Sequence, residues 1–279
     1  MTTMITTQAA VAGQSDRHLS STAIRSGGIG MMLAQQIRAE FMKLWRVPMF
    51  SISTLLFPVM FFVLFGVPEA KETLPDGTNV GRYILASMSA YGLLGVTFFS
   101  FGVGVASERS QGWIKLMKAT PMPAWVYFVA KLAMALLFAL LSCALMFLVA
   151  IVAARVRMPL TQWMTLVGSL VFGLLPFAAM GFTLGYWAGP TSAMPIAQFG
   201  YIFLSFASGL LVPLERMPGF VQQVAPYLPT YHYAHLAWRA VGADDGHLMQ
   251  HVAWLLGTAF VFGILAVWGY RRDQGKQYG

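Results

Sequence analysis

Along this chain apolar residues gather into runs of about twenty, separated by short polar breaks. A run of about twenty is the length a helix needs to cross the hydrocarbon of a bilayer. Six runs are predicted to be spanning helices, at 48–67, 82–106, 124–153, 163–188, 193–213 and 248–270. Pro48 suits a first helical turn. Pro58 and Pro176 lie inside the first and fourth runs and predict kinks, because proline cannot donate to the helical ladder. Lys131 lies inside the third run, where its long stem is expected to snorkel to the interface.

Two stretches depart from this pattern without reading as plain loops. Residues 29–46 place Leu33, Ile37, Phe41 and Leu44 at helical spacing, with Gln36, Arg38, Lys43 and Arg46 between them and Trp45 near the end. This predicts an amphipathic helix at the membrane surface, apolar side down, with its basic residues near anionic headgroups. Residues 214–247 are moderately apolar but hold Pro218, Pro226, Pro229, several histidines, Arg239, Asp244 and Asp245. They predict short interfacial or re-entrant helices, since broken backbone survives at depth only where protein or water satisfies it. Residues 1–28 lack an apolar core segment and predict a flexible tail rather than a signal peptide. Residues 273–279 predict a second tail, leaving 29–272 as one transmembrane domain. The expected fold class is an all-α integral membrane protein.

Composition agrees with the pattern. Of 279 residues, 57% are apolar and only 10% are charged, against roughly 25% charged in soluble domains. The net charge of +8 sits at the ends of the apolar runs, so topology accounts for it better than nucleic acid does. Six spans put both termini on one side. With the termini inside, Arg17, Arg25, Arg38, Lys43, Arg46, Arg109, Lys115, Lys118, Lys131, Arg271, Arg272 and Lys276 are cytoplasmic. Only Lys71, Arg82, Arg155, Arg157, Arg216 and Arg239 are then external. The positive-inside rule therefore predicts cytoplasmic termini, although Arg155 and Arg157 run against it locally.

The chemistry missing from the runs narrows the function. No Asp or Glu falls inside the six runs as drawn, whereas proton- or sodium-coupled carriers usually need an ionisable group near the midplane. The chain has no G-x-x-x-x-G-K-[ST]; its one Gly-Lys pair, Gly275-Lys276, is followed by Gln277. Nothing would cradle a nucleotide's phosphates, so no cofactor is expected on this chain and the energy source is expected elsewhere. No paired catalytic carboxylates argue for an intramembrane enzyme. Cys143 is the sole cysteine, which excludes an intramolecular disulfide or a cysteine metal cluster. His232 and His235 are three apart and His247 and His251 four apart. Without an H-E-x-x-H, and with nothing to bring the pairs together, they are expected to be hydrogen-bonded interfacial residues, not a metal site. Gly181, Gly185 and Gly189, four apart, allow close helix approach either within one bundle or at a dimer seam.

The stretch 107–123 carries the most specific pattern. Glu108 comes early, Trp113, Leu116 and Met117 can form one helix face beside Lys115 and Lys118, and Pro121 and Pro123 end it. A short amphipathic helix of this kind fits a groove on a partner. Glu108, Arg109, Gly112, Leu116, Met117, Ala119, Thr120 and Pro121 resemble the E-R-x-x-G-x-x-x-x-L/M-x-A-T-P-like loop of permease subunits of type-2 ATP-binding-cassette transporters. Leu211 to Pro218, with Pro213 inside it, followed by Pro229, Thr230, Tyr231 and His232, resembles that family's external re-entrant helices. The likeness covers about 29–272. It implies a coupling helix that includes Trp113, docked on a separate ABC ATPase that binds ATP and Mg. It also implies a second permease copy, identical or different, lipid contact, and a bacterial inner (plasma) membrane location. The implied function is export of an amphipathic or lipid-like substrate such as a drug, peptide or lipid-linked glycan. The alternative is a channel or ion-coupled secondary transporter that works without an ATPase.

Overall fold

The computed structural model describes residues 29–46, 48–75, 77–113, 123–243 and 245–275. Among them every regular element is helical, and the sole β feature is an isolated bridge between Thr73 and Asn79. Helix α1 spans Ile29–Arg46, and α2 spans Pro48–Phe61 and continues as a π turn, Phe62–Gly66. Helix α3 runs Val80–Ser110, with a π segment at Phe98–Val103. Helices α4 (Ala124–Val152), α5 (Leu160–Trp187) and α6 (Ala193–Ala207) follow. Short pieces at Leu214–Arg216, α7 (Gly219–Val224) and Ala225–Tyr227 lead to α8 (Pro229–Val241) and α9 (Leu248–Gly275).

Among the described residues four helices are long and apolar enough to cross a membrane: α3, α4, α5 and α9. The expected spans at 48–67 and 193–213 correspond to shorter apolar helices. Helix α6 stops at Ala207 because the chain turns through Gly209 at φ +84°, a left-handed conformation that suits glycine. Helix α3 outruns its predicted end at 106, and α9 continues past 270 to Gly275, so Asp273 belongs to a helix and not to a tail. The predicted tail 1–28 lies outside the described residues.

Local chemistry accounts for several boundaries. Asn79 caps α3: its Oδ1 accepts from the Arg82 N–H at 3.1 Å and its Nδ2 donates to Ala70 O at 2.7 Å. Pro58 interrupts the ladder of α2, and the widened π turn follows one turn later. In α5 the helix continues through Pro176.

Helix α8 forms the centre of the bundle, packed against α3, α5 and α9. The expectation of a re-entrant element is sharpened here, because α8 is largely buried rather than lying on a surface. Tyr233 is fully buried and donates to Leu170 O at 3.2 Å; Trp238 donates to Ser87 Oγ at 2.7 Å and stacks on Tyr83. These two polar handles anchor large apolar rings in a core built from Leu93, Leu94, Leu166 and Leu170. Gly173 makes room for Tyr233: a Cβ there would stand 2.0 Å from Tyr233 Cε2. Gly181 and Gly185 let α5 approach α3, since a Cβ at either would meet backbone oxygen of Thr97 or Phe101 at 2.8 or 2.7 Å. Their spacing thus serves packing within one bundle. Outward faces stay apolar, with Leu140 and Leu141 on α4 and Phe260, Val261 and Ile264 on α9 exposed.

Candidate functional site: the fastened end of α3

The site lies where α3 ends, just before the stretch singled out in the sequence. Glu108, early in the stretch 107–123, sits in the last turn of α3. A carboxylate at a helix C-terminus opposes the macrodipole, so it needs compensation, and two ammonium groups supply it. Lys131 Nζ on α4 donates to Glu108 Oε1 at 2.7 Å, and Lys43 on α1 donates to the same oxygen. Tyr127 Oη donates to Glu108 Oε2 at 2.5 Å. Glu40 on α1 closes the group, 3.3 Å from both Lys43 and Lys131. Two carboxylates and two ammoniums therefore balance in a place where Glu40, Glu108 and Lys131 are buried. Burial alone would lower the Lys43 ammonium's pKa, but Glu108 and Glu40 outweigh it and hold it above its ordinary value.

This corrects one expectation and adds to another. Lys131 does not snorkel; it is 5% exposed and turned onto Glu108 and Glu40. Helix α1 meets α4 through a polar stripe of Gln36 and Glu40, both buried, while Phe41 and Met42 stay exposed. The hydrophobic spacing showed the outward face, but a buried polar stripe looks like a solvated one until its partner helix is known. Leu33 and Ile37 are half-buried and Arg38 exposed; the side chains of Leu44 and Trp45 lie outside the described residues.

Arg109, next in sequence, points to the other side. Its Nη1 donates to Gly185 O at 2.7 Å and Ala188 O at 3.3 Å, carbonyls at the C-terminal end of α5. Its Nη2 donates to Asp273 Oδ1 on α9 at 2.6 Å, and its guanidinium lies 5.7 Å from the Tyr186 ring. A cation suits this end of α5, where carbonyls lack helical partners. Consecutive residues thus fasten the end of α3 to α1 and α4 on one side and to α5 and α9 on the other.

Gly112 follows the last turn of α3 at φ +75°, with its N–H donating to Arg109 O at 3.1 Å. A Cβ there would meet nothing within 4 Å, so the left-handed backbone and not crowding calls for glycine. Trp113 is the last described residue before 123, with Lys43 Nζ 5.8 Å from its ring centroid. Leu116, Met117, Thr120 and Pro121 lie outside the described residues. Beside this network is a cavity of about 310 Å³ lined by Phe99, Phe101, Val103, Met134 and Phe138, with Glu40, Lys43, Glu108 and Lys131 at its polar edge.

The other predicted cluster lies at the opposite end of α9 from Asp273. His232, buried on α8, places Nδ1 2.8 Å from His251 Nδ1 on α9. Asp245 Oδ2 stands 2.8 Å from His251 Nε2 and 2.9 Å from His235 Nδ1. One helical turn unites His232 and His235, as their spacing implies. Only the tertiary fold adds His251 and Asp245, and of His247 only the backbone N–H joins in, donating to Asp245 Oδ1. Burial pushes His235 down to about 4 and also lowers His232, so both are neutral at ordinary pH. Tyr231 packs its ring against His235, while Pro229 opens α8. Pro213 and Pro218 precede the short helical pieces Leu214–Arg216 and Gly219–Val224.

Comparison with known proteins gives this arrangement a family. The chain is 28% identical over 243 residues to a Bacillus subtilis (strain 168) protein named "Putative transport permease YvfS", covering 87% of this chain and 98% of that protein. The family model for ABC-2 family transporter proteins matches residues 67–268, which take in α3, its fastenings on α4 and α5, the buried α8 and most of α9. The chain therefore belongs to the ABC-2 family of transporter proteins and is a multi-pass membrane permease.

Proposed function

We propose that this chain is the membrane-spanning half of an ATP-driven exporter, moved by a separate ABC ATPase that docks on the stretch after Gly112. The observation that carries the reading is the double fastening of Glu108 and Arg109. A push on the stretch that begins at Gly112 would reach α1 and α4 through Glu108, and α5 and α9 through Arg109. Ion pairs of this kind are discrete contacts that hold or break, which suits transmission between two states.

In this reading the six apolar helices span the membrane, with both termini and the end of α3 in the cytoplasm of a bacterial inner membrane. Helix α1 lies at the surface, its exposed Phe41 and Met42 toward lipid. Two permease copies pair with two ATPase subunits, which bind ATP and Mg; this chain supplies the path and the coupling and performs no covalent chemistry. The cavity beside Glu108, apolar along its wall and charged at one edge, supports an amphipathic or lipid-like cargo.

The experiment is affinity capture from native membranes followed by transport into inside-out vesicles. An ABC ATPase in the eluate and ATP-dependent uptake of an amphipathic dye are expected. Glu108→Gln should insert and still capture the ATPase while uptake falls at least about tenfold, the order expected for losing one strong charged contact in the moving state. Uphill movement driven by a proton or sodium gradient alone, with no ATPase present, would overturn the reading in favour of an ion-coupled carrier.

A further inference from the structure

The histidine cluster between α8 and α9 has proton positions that follow from its geometry. Pro226 O only accepts, so His232 Nε2, 2.9 Å away, carries the proton. Neutral His232 then presents a bare Nδ1 to His251 Nδ1 at 2.8 Å, and His251 must donate there. With Nδ1 turned to His232, the His251 ring aims Nε2 at Asp245 Oδ2, 2.8 Å away. Imidazole nitrogen and carboxylate oxygen, both metal-ligating atoms, thus converge on one place. His235 Nδ1 lies 2.9 Å from the same carboxylate oxygen, and the His235 and His251 rings stack with centroids 4.9 Å apart.

We infer that His235, His251 and Asp245 form a binding site for a divalent transition-metal ion of the zinc class, with His232 as the residue that orients His251. The three ligand atoms lie within 4.8 Å of one another. Imidazole nitrogens and a carboxylate suit zinc and its neighbours, and three protein ligands leave a fourth position for water. Ligands at about 2.1 Å from a tetrahedral ion stand about 3.4 Å apart, so Asp245 needs to draw back from each of the two imidazoles by roughly half an ångström. It has the freedom to do so, since it lies between α8 and α9, 30% exposed and followed by Gly246 at φ +79°. His235 binds through Nδ1 with its proton on Nε2. The His232 hydrogen bond to His251 Nδ1 is the outer contact that fixes a metal-binding tautomer and ring angle.

The ion joins α8, the central buried helix, to the first turn of α9, at the end of the bundle away from Glu108. This inference stands apart from the proposed coupling role, because it concerns neither Glu108 nor an ATPase.

The test uses the full chain in detergent, any affinity tag removed, titrated with Co²⁺ and then Zn²⁺. One Co²⁺ per chain with a tetrahedral absorption spectrum, displaced by Zn²⁺, is expected. Zn²⁺ should raise the thermal midpoint and EDTA should restore it. Asp245→Asn and His235→Gln should each weaken binding at least about tenfold, and His232→Ala by about 10–100-fold, the range for an orienting partner. His247→Ala should bind like the parent. Absence of saturable binding in the parent overturns the site. Parent-like binding in Asp245→Asn, or in His235→Gln should the first variant elute as aggregate, overturns it equally, as does loss that follows His247.

Discussion

The Arg109 guanidinium donates to the Asp273 carboxylate at 2.6 Å, joining residues 164 positions apart in sequence. Both side chains are largely shielded, 22% and 17% exposed. The contact holds the last turn of α3 to the last turns of α9, and α9 otherwise leans mainly on α5. Hydrogen bonds to charged groups at such sites contribute about 1.5–3 kcal/mol. Asp273→Asn is expected to lower stability by that order in thermal unfolding. The swapped pair Arg109→Asp with Asp273→Arg should recover only part, because Arg109 also serves the Gly185 and Ala188 carbonyls. Full recovery would mean those carbonyl contacts contribute nothing.

Glu108 and Lys131 form the buried part of the second fastening. Removing one member leaves the network of two carboxylates and two ammoniums with one buried charge in excess, at a cost of up to about 3–5 kcal/mol. Glu108→Gln and Lys131→Met are each expected to destabilise on that scale, while the double variant costs clearly less than their sum. A double-mutant cycle measures it. Simple additivity would show that the two groups do not act as a pair.

Gly112 separates backbone from bulk. Its φ of +75° costs an L residue about 1–2 kcal/mol, yet there is open space where a Cβ would go. Gly112→Ala should therefore impair transport more than Gly112→Asn, which tolerates the left-handed region. Equal effects would point to flexibility and not to this φ as the reason for glycine.

Gly173 makes the opposite prediction, since here crowding decides. A methyl group would overlap the Tyr233 ring, and overpacking costs about 1–3 kcal/mol. Gly173→Ala should lower the thermal midpoint accordingly, and adding Tyr233→Leu should relieve part of the loss. A midpoint unchanged in Gly173→Ala would show that the ring moves aside freely.

How much of this was legible beforehand depends on the distance over which each feature is decided. The long apolar helices were legible because crossing a bilayer requires length and apolarity, both properties of a continuous run. The stretch around Glu108, Arg109 and Gly112 was legible as a motif, although its boundary was misplaced: α3 continues through Ser110, since its hydrogen-bond ladder and buried partners do not end where the apolar run does. The ends of α6 and α9 were missed for the same reason.

Nothing local in Glu40, Lys131 or Asp273 announces a buried ion pair. Each reads alone as an exposed or snorkelling charge, and only the approach of α1, α4 and α9 to the end of α3 supplies the opposite charge that makes burial affordable. Tyr233 and Trp238 likewise look like ordinary aromatics until Leu170 and Ser87 arrive to accept their protons. The sequence by itself determined that the chain is a bundle of apolar helices with a family motif at one end, because hydropathy and helical period are written residue by residue. The tertiary structure alone decided which charges meet, because pairing energies depend on distances between segments that the chain brings together only when folded.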